Sequence, residues 1–183
     1  MPLRWMAVTS VVAAMAAFAH AAPAEQSPGT LAGSGKPARQ LRVYGYPYTS
    51  RCPAAGIAER IDRWRMDMCN CTSYVAWALQ ANGQSIGWFI PGAMNAWNWP
   101  HVAELAGLRV GDRPRAGAVA VWAKLAPPFG HVAYVTSVDP NGKFDVSEYN
   151  LFTPFLFGRR DDVQKSGAVF IYVPPAPTVA IGD

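Results

Sequence analysis

Residues 131–149 read HVAYVTSVDPNGKFDVSEY, and this stretch decides the predicted fold. Two apolar runs, His131–Val138 and Lys143–Tyr149, flank the turn sequence Asp139-Pro140-Asn141-Gly142. A short turn rich in Asp, Asn and Gly between two such runs is typical of a β-hairpin. We therefore expect two antiparallel strands here.

The sequence before the hairpin has helical spacing, and the sequence around it has further strand-like runs. Helices are predicted at Ala54–Trp64, Cys71–Gln80 and His101–Leu108, with Asn82-Gly83 as a stop signal for the second. Additional strands are predicted at Ala118–Trp122 and Ala168–Val173. Helices followed by mostly antiparallel strands predict an α+β fold, with N-terminal helices packed on an antiparallel β-sheet.

Composition limits the classes of protein that this chain can be. It has 183 residues, of which 51% are hydrophobic and 15% charged, enough for one domain with a core and unlike a disordered or coiled-coil chain. Its net charge of +4 is far from that of a nucleic-acid-binding tail, so we expect no nucleic-acid partner. Three cysteines are too few for a disulfide-stapled mini-protein or a four-cysteine zinc site.

Residues 1–21 are predicted to be a secretory signal peptide. Arg4 precedes an apolar run from Trp5 to Ala19, and Ala19-His20-Ala21 is a typical cleavage pattern. The alternative, a membrane anchor, is disfavoured because a span needs about 20 apolar residues. We expect a secreted or periplasmic protein with no stable membrane insertion after cleavage. We also expect a flexible linker at 22–40, a folded unit at 41–173 and a flexible tail at 174–183.

Three features of the folded unit point to nucleophilic catalysis. Cys71 stands where a helix is expected to begin, and main-chain N–H groups there stabilise a thiolate, the nucleophilic form of cysteine. His131 opens one hairpin strand, and Glu148 lies near the end of the other. Glu148 and Asn150 are two residues apart, so they share a strand face that can meet His131 and orient its imidazole.

Each of these residues also has an ordinary structural interpretation. A lone cysteine on a helix is usually a small buried hydrophobe. His131 could be a hydrogen-bonded strand end, and Glu148 and Asn150 could form a solvated strand face. Their joint occurrence at a helix start and on one hairpin favours the catalytic interpretation.

These residues resemble a CHAP domain (cysteine, histidine-dependent amidohydrolase/peptidase) over roughly Cys52–Val173. The segments that carry the resemblance are CTSYVAW at 71–77, RAGAVAVW at 115–122, GHVAYV at 130–135 and SEYN at 147–150. The resemblance implies the papain-like fold of the NlpC/P60 superfamily and hydrolysis of an amide bond in peptidoglycan. It also implies roles for four catalytic residues: Cys71 as nucleophile, His131 as general base, Glu148 as the group that orients the imidazole and Asn150 as a supporting residue.

The other two cysteines, Cys52 and Cys69, are 17 residues apart in the sequence. In a secreted protein we expect them to form a disulfide that leaves Cys71 free. A bond between Cys69 and Cys71, the alternative, would be strained and would block the nucleophile.

No metal and no other cofactor is predicted. Some proteins with this resemblance bind calcium in an acidic loop before the nucleophile. Here Asp62 and Asp67 stand among three arginines, whereas calcium takes about six to eight oxygen ligands, several of them anionic.

Substrate-binding residues are predicted beside the catalytic ones. Asn70 could donate to an oxyanion or cap the helix. The tryptophan-rich stretch 88–99 could be a groove wall or a core plug. Residues 151–158 could form a rim above the site, whereas Arg159-Arg160 resembles a solvated charge pair. The predicted substrate-binding residues are Asn70, Trp97, Trp99, Tyr149 and Phe152.

The predicted function is a secreted or periplasmic peptidoglycan hydrolase with a Cys-His-Glu thiolate mechanism that passes through a thioester. It would cleave the N-acetylmuramoyl-L-alanine bond or a bond within the wall peptides. Two alternatives remain: a non-catalytic wall-binding module of the same fold, and a cysteine amidase acting on another peptide-like amide. Peptidoglycan is the expected partner, and the sequence identifies no regulator.

Overall fold

A computed structural model of the chain describes residues 40–52, 60–90 and 95–177. All of them belong to one compact unit, Arg39–Asp183. Outside these ranges lie the predicted signal peptide at 1–21, the predicted linker except Gln40, and residues 178–183 of the predicted tail. None of the helices within these ranges is long and apolar enough to cross a membrane.

An antiparallel sheet forms the centre of the described unit. Its strands are β1 (Arg109–Gly111), β2 (Val119–Trp122), β3 (His131–Val138), β4 (Phe144–Tyr149), β5 (Phe157–Val163) and β6 (Val169–Tyr172). Among the described residues these six strands form one sheet in the order β1-β6-β2-β3-β4-β5. The predicted hairpin is β3–β4, and the side chain of Asp139 closes its turn by accepting the N–H groups of Asn141 and Lys143.

In the described part of the chain, the sheet is accompanied by the helices α1 (Cys71–Ala81) and α2 (Trp99–Leu105). Short 3-10 helices lie at Thr49–Arg51 and Ala96–Asn98. Helix α1 packs against β3 and β4. Its residues Ser73–Leu79 are all buried, as expected for a helix that lies between the sheet and other chain segments.

Both faces of the central strands are covered. Val119 and Val121 of β2 contact the core that includes α1, whereas Ala120 and Trp122 belong to a smaller cluster on the other face. Side chains alternate between the faces of a strand, so a strand buried on both sides is apolar throughout. This explains the continuous apolar run that predicted β2.

The segment before α1 is held to the helix by polar contacts. The side chain of Asn82, at the end of α1, accepts the N–H of Arg42 at 2.7 Å and donates to its carbonyl at 2.9 Å. The Tyr74 hydroxyl donates to the carbonyl of Val43 at 2.8 Å. At the other end of the unit, Ser85 donates its N–H to the carbonyl of Pro174. The boundaries predicted at 40/41 and 173/174 stay predictions.

The α+β class is confirmed, but the first predicted helix is wrong where the structure describes it. Residues 60–64 are not helical, and 53–59 lie outside the described residues. Oδ1 of Asp62 accepts the N–H groups of Trp64 and Met66, both at 2.8 Å. An aspartate that binds nearby backbone N–H groups favours a turn over a helix.

Two strands were not predicted from the sequence. β1 has three residues, and β5 reads FGRRDDV, with four consecutive charged residues. Neither has the apolar alternation that indicates a strand. β5 nevertheless pairs along the outer side of β4 and brings Arg160 opposite Val146.

Candidate active site

Cys71 is the first residue of α1 and is partly exposed. The first hydrogen bond of the helix runs from the N–H of Tyr74 to the carbonyl of Asn70, at 3.1 Å. The amides at the start of a helix precede this ladder and are available to an anion. The nucleophile predicted from the sequence therefore lies where a thiolate or an oxyanion is favoured.

Cys52 and Cys69 form a disulfide with Cα atoms 5.4 Å apart, and Cys71 is free. This is the pairing expected from the sequence. Both bonded cysteines are fully buried. The bridge fixes the backbone two residues before the candidate nucleophile to the segment that contains Cys52.

His131 begins β3 and is 1% exposed. Its Nε2 lies 2.9 Å from Oε2 of Glu148, which is 2% exposed. Gly130, with φ of +75°, allows the chain to enter the strand: a Cβ atom there would lie 2.6 Å from the backbone nitrogen of Trp97. The close approach of two backbones thus requires glycine before the histidine.

The charge state of His131 follows from its neighbours. Burial disfavours the charged ring, but hydrogen bonds to Cys71 and Glu148 and the negative charges of both partners outweigh burial and raise the pKa of His131 to about 9. Because the ordinary value is 6.5, His131 is protonated at neutral pH. Since Nε2 faces Glu148, Nδ1 is the ring nitrogen left for Cys71.

Glu148 has a second partner that the sequence did not reveal. Arg160 of β5 donates from Nε to Oε1 and from Nη2 to Oε2, both at 2.8 Å. Burial alone would raise the pKa of Glu148, but the hydrogen bonds from His131 and Arg160 reverse this effect and hold its pKa below the ordinary value. The carboxylate is therefore ionised beside the imidazolium.

The sequence interpretation of Arg159-Arg160 as a solvated pair holds for only one of them. Arg159 meets solvent-exposed partners, Asp161 and Tyr44, whereas Arg160 turns inward to Glu148. Alternation along a strand separates two neighbouring arginines onto opposite faces. Only recognition of β5 as a strand could have shown this from the sequence.

Asn150 lies just after β4 with φ of +57° and does not contact His131 in any hydrogen bond of the structure. Its Nδ2 donates to Oδ1 of Asn70, and its Oδ1 accepts the N–H of Phe155 at 2.9 Å. Asn70 precedes α1 but makes no capping hydrogen bond with its side chain. Asn70 therefore occupies the predicted N-cap position, but its side chain does not cap the helix.

A cleft of roughly 450 Å³ opens beside these groups. Its lining includes Arg65, Asp67, Asn70, Cys71, Thr72, Ala96, Phe129, His131, Asn150 and Phe155. Burial and the nearby Asp62 raise the pKa of Asp67. Within the described residues, no three His, Cys, Asp or Glu side chains are grouped as a metal site would require.

The predicted substrate-binding aromatics divide into two groups. Trp97 and Phe152 are exposed, by 50% and 78%, and stay candidates. Trp99 has no exposed surface and packs edge-on against Trp88, and Tyr149 is 2% exposed and packs on Tyr74. A substrate cannot reach such buried side chains, so the prediction for Trp99 and Tyr149 is wrong and both are core residues.

Comparison with known proteins identifies a family. The CHAP domain profile matches residues 61–150, which include Cys71, His131, Glu148 and Asn150. A probable autolysin LDP of Staphylococcus aureus (strain NCTC 8325 / PS 47) is 43% identical over 83 residues, or 44% of this chain and 27% of that protein. The staphylococcal secretory antigen ssaA2 of the same strain is 48% identical over 56 residues, or 31% of this chain and 20% of that protein. The matched part of the chain thus spans about a quarter of these curated relatives.

A solved structure has a related fold. The crystal structure of an N-acetylmuramoyl-L-alanine amidase from Staphylococcus aureus superposes with a TM-score of 0.52 and 23% identity, covering 59% of this chain and 31% of that one. At this identity the likeness concerns the fold alone.

Proposed function

We propose, from the premise that residues 61–150 make this chain a member of the CHAP domain family, that the protein is a peptidoglycan hydrolase. One observation carries the proposal: His131 lies between the free Cys71 and the buried carboxylate of Glu148. The printed name of one relative, a probable autolysin, supports a substrate in the cell wall. A papain-like arrangement is part of the proposal, supported by α1 and its cysteine packed on the strands that carry His131 and Glu148.

The proposed reaction is hydrolysis of an amide through a thioester. The Cys71 thiolate attacks the carbonyl carbon, and the His131 imidazolium gives its proton to the leaving amine nitrogen as the C–N bond breaks. The neutral His131 then takes a proton from water, which attacks the thioester carbonyl. The C–S bond breaks, a carboxylic acid leaves, and the thiolate–imidazolium pair is restored. Glu148 stays ionised throughout.

The oxyanion of each tetrahedral intermediate needs hydrogen-bond donors. The main-chain N–H of Cys71, at the start of α1, is the first proposed donor. We propose Asn70 as the second, because it lines the cleft and its Oδ1 accepts from Asn150, which leaves its Nδ2 to donate. Asn150 then supports catalysis by fixing the Asn70 amide.

Export of the protein is part of the same proposal. A disulfide persists in oxidising compartments and is rare in the cytosol. The bond between Cys52 and Cys69 supports an extracellular or periplasmic location, as does the printed name of one relative, a secretory antigen.

Digestion of purified peptidoglycan tests the proposal. Wild type is compared with Cys71→Ala and His131→Ala, and with His101→Ala, which removes an exposed histidine of α2 as a matched control. New fragments, detected by mass spectrometry, are expected from wild type and His101→Ala only. Fragment masses identify the broken bond and so separate an amidase from an endopeptidase.

Two outcomes would contradict the proposed hydrolase, and a labelling control supports their interpretation. Alkylation of native protein by iodoacetamide labels Cys71 alone, because the other two cysteines are bonded to each other. Wall binding without fragments, from folded protein with a titratable Cys71 thiol, would overturn the hydrolase and support the non-catalytic alternative. Equal fragments from wild type and Cys71→Ala would show that the nucleophile is another residue.

A further inference from the structure

The carboxylate of Glu148 is held from the side opposite His131 by a planar two-point contact. Nε and Nη2 of Arg160 each lie 2.8 Å from a different oxygen of Glu148. Oε2 therefore accepts from both Arg160 and His131, whereas Oε1 accepts from Arg160. Such paired N–H···O bonds fix both the position and the plane of a carboxylate.

The sheet explains how Arg160 reaches Glu148. Gly158 lies directly opposite Glu148 in the β4–β5 register, and Arg160 lies opposite Val146. Residues diagonal to each other on one sheet face are within reach of long side chains. A Cβ atom at Gly158 would lie 3.6 Å from Cγ of Glu148, so this position packs directly against the glutamate side chain.

Two aromatic rings restrict the guanidinium further. Its central carbon lies 4.6 Å from the ring centre of Trp122 and 6.0 Å from that of Phe152. Trp122 is itself 8% exposed and lies 6.2 Å from the His131 ring. A cation over an aromatic face is attracted to it, and the face excludes water from the ion pair. The guanidinium is thus held between Glu148 and the ring of Trp122.

We propose that Arg160 is a positioning residue of the active site: it keeps Glu148 ionised and oriented so that Oε2 receives Nε2–H of His131. This inference rests on the proposed function. It extends the Cys71, His131 and Glu148 chain by a fourth member.

Burial makes the fourth member necessary. Glu148 is 2% exposed, and a buried carboxylate with too few partners takes up a proton. The charged groups that face Glu148 are His131 from β3 and Arg160 from β5, with Cys71 of α1 beyond His131. Without Arg160 only the imidazolium would hold the negative charge. A neutral Glu148 would no longer stabilise that imidazolium.

The test compares Arg160→Gln and Arg160→Lys with wild type, and with Arg159→Gln as a matched control on the exposed side of the same strand. Carbon-13 NMR follows the titration of the Glu148 carboxyl, identified by its absence from Glu148→Gln. The pH dependence of Cys71 alkylation and of kcat/KM on peptidoglycan fragments is measured in parallel.

We expect the Glu148 midpoint to rise by at least one pH unit in Arg160→Gln, and the acid limbs of alkylation and of kcat/KM to move with it. The loss of kcat/KM should be largest on the acid side and smaller at pH 8, where Glu148 is ionised in both proteins. Arg160→Lys, which keeps the charge but not the two-point contact, should recover part of the shift. Arg159→Gln should behave as wild type.

An unchanged Glu148 midpoint in both Arg160 variants would overturn the inference, as would a loss of rate that is equal at every pH and is not relieved by lysine. If Arg160→Gln fails to fold, the Glu148 midpoint in Arg160→Lys alone tests the inference. The carboxyl titration and the alkylation profile need no wall substrate. Failure of wild type to cleave peptidoglycan would therefore count against the proposed function and leave this inference to be decided by those two measurements.

Discussion

Glu148→Gln tests the electrostatics of the candidate site most directly. Glutamine has nearly the shape of glutamate and can still accept a hydrogen bond from His131, but it carries no charge. The substitution weakens the hydrogen bond between His131 and residue 148, whose side chains are 1% and 2% exposed. A hydrogen bond to a charged partner contributes about 1.5–3 kcal/mol, which corresponds to about 1–2 pKa units. We expect the pKa of His131 to fall from about 9 to about 7–8.

The assay is the rate of peptidoglycan cleavage as a function of pH. Above its pKa, His131 loses the proton that it gives to the leaving amine. The basic limb of this profile should therefore lie near pH 9 in wild type and about 1–2 units lower in the variant. Glu104→Gln, at an exposed position of α2, is the matched control and should leave the limb in place.

The raised pKa of His131 in the folded protein also affects its stability. A histidine with a pKa raised from 6.5 to about 9 on folding stabilises the protein fully below pH 6.5 and loses this contribution as the pH rises through 9. The free energy of unfolding that is lost between these two pH values corresponds to about 3 kcal/mol. Urea unfolding at pH 6 and pH 9.5 should show a smaller pH-dependent loss in Glu148→Gln than in wild type. A basic limb that stays within half a unit of wild type in the folded variant would refute the assignment of Glu148 as the partner of His131.

Three further changes test the frame around the site. Replacing both Cys52 and Cys69 with alanine removes a cross-link with a sequence separation of 17 residues. In a denaturant titration this change should lower the free energy of unfolding by about 3 kcal/mol. A loss below about 1 kcal/mol would contradict loop closure as the source of the stabilisation. The buried N–H of Cys69 donates to the hydroxyl of Tyr46 at 3.0 Å, and Tyr46→Phe removes this acceptor. The free energy of unfolding should fall by about 1–3 kcal/mol. An unchanged denaturation midpoint would count against this bond. Gly130→Ala places a Cβ atom 2.6 Å from the backbone nitrogen of Trp97, at a residue with positive φ. We expect at least about 2 kcal/mol of destabilisation and a loss of hydrolysis. A variant with the activity and melting temperature of wild type would refute the close packing.

The parts of the site that the sequence predicted are those encoded by local pattern. The helix at Cys71 and the hairpin that carries His131 and Glu148 follow from apolar spacing and from an Asp-Pro-Asn-Gly turn. Strand alternation then predicted correctly that Glu148 could face His131, which it does at 2.9 Å. The catalytic roles of these residues stay proposals.

The parts that the sequence did not predict depend on contacts between distant segments. Arg160 looks like a surface charge until β5 is seen beside β4, where its partner is a buried carboxylate. Trp99 and Tyr149 have the composition of a binding surface, and only their packing shows that they belong to the core. Asp62 favours a turn at 62–66 by accepting backbone N–H groups, a local effect that helical spacing does not register.

The strand that carries Arg160 lies at the margin of the sheet: β5 pairs with β4 and, among the described residues, with no strand on its other side. The outermost strand of a sheet opens with a smaller free energy than the whole domain, and its amides exchange with solvent earlier. Such an opening would draw Arg160 away from Glu148 while α1 and β3 stay folded. Under the Arg160 proposal, amide hydrogen exchange in 157–163 would therefore follow the fraction of molecules competent for catalysis, and the enzyme would lose activity on warming before it loses its global structure.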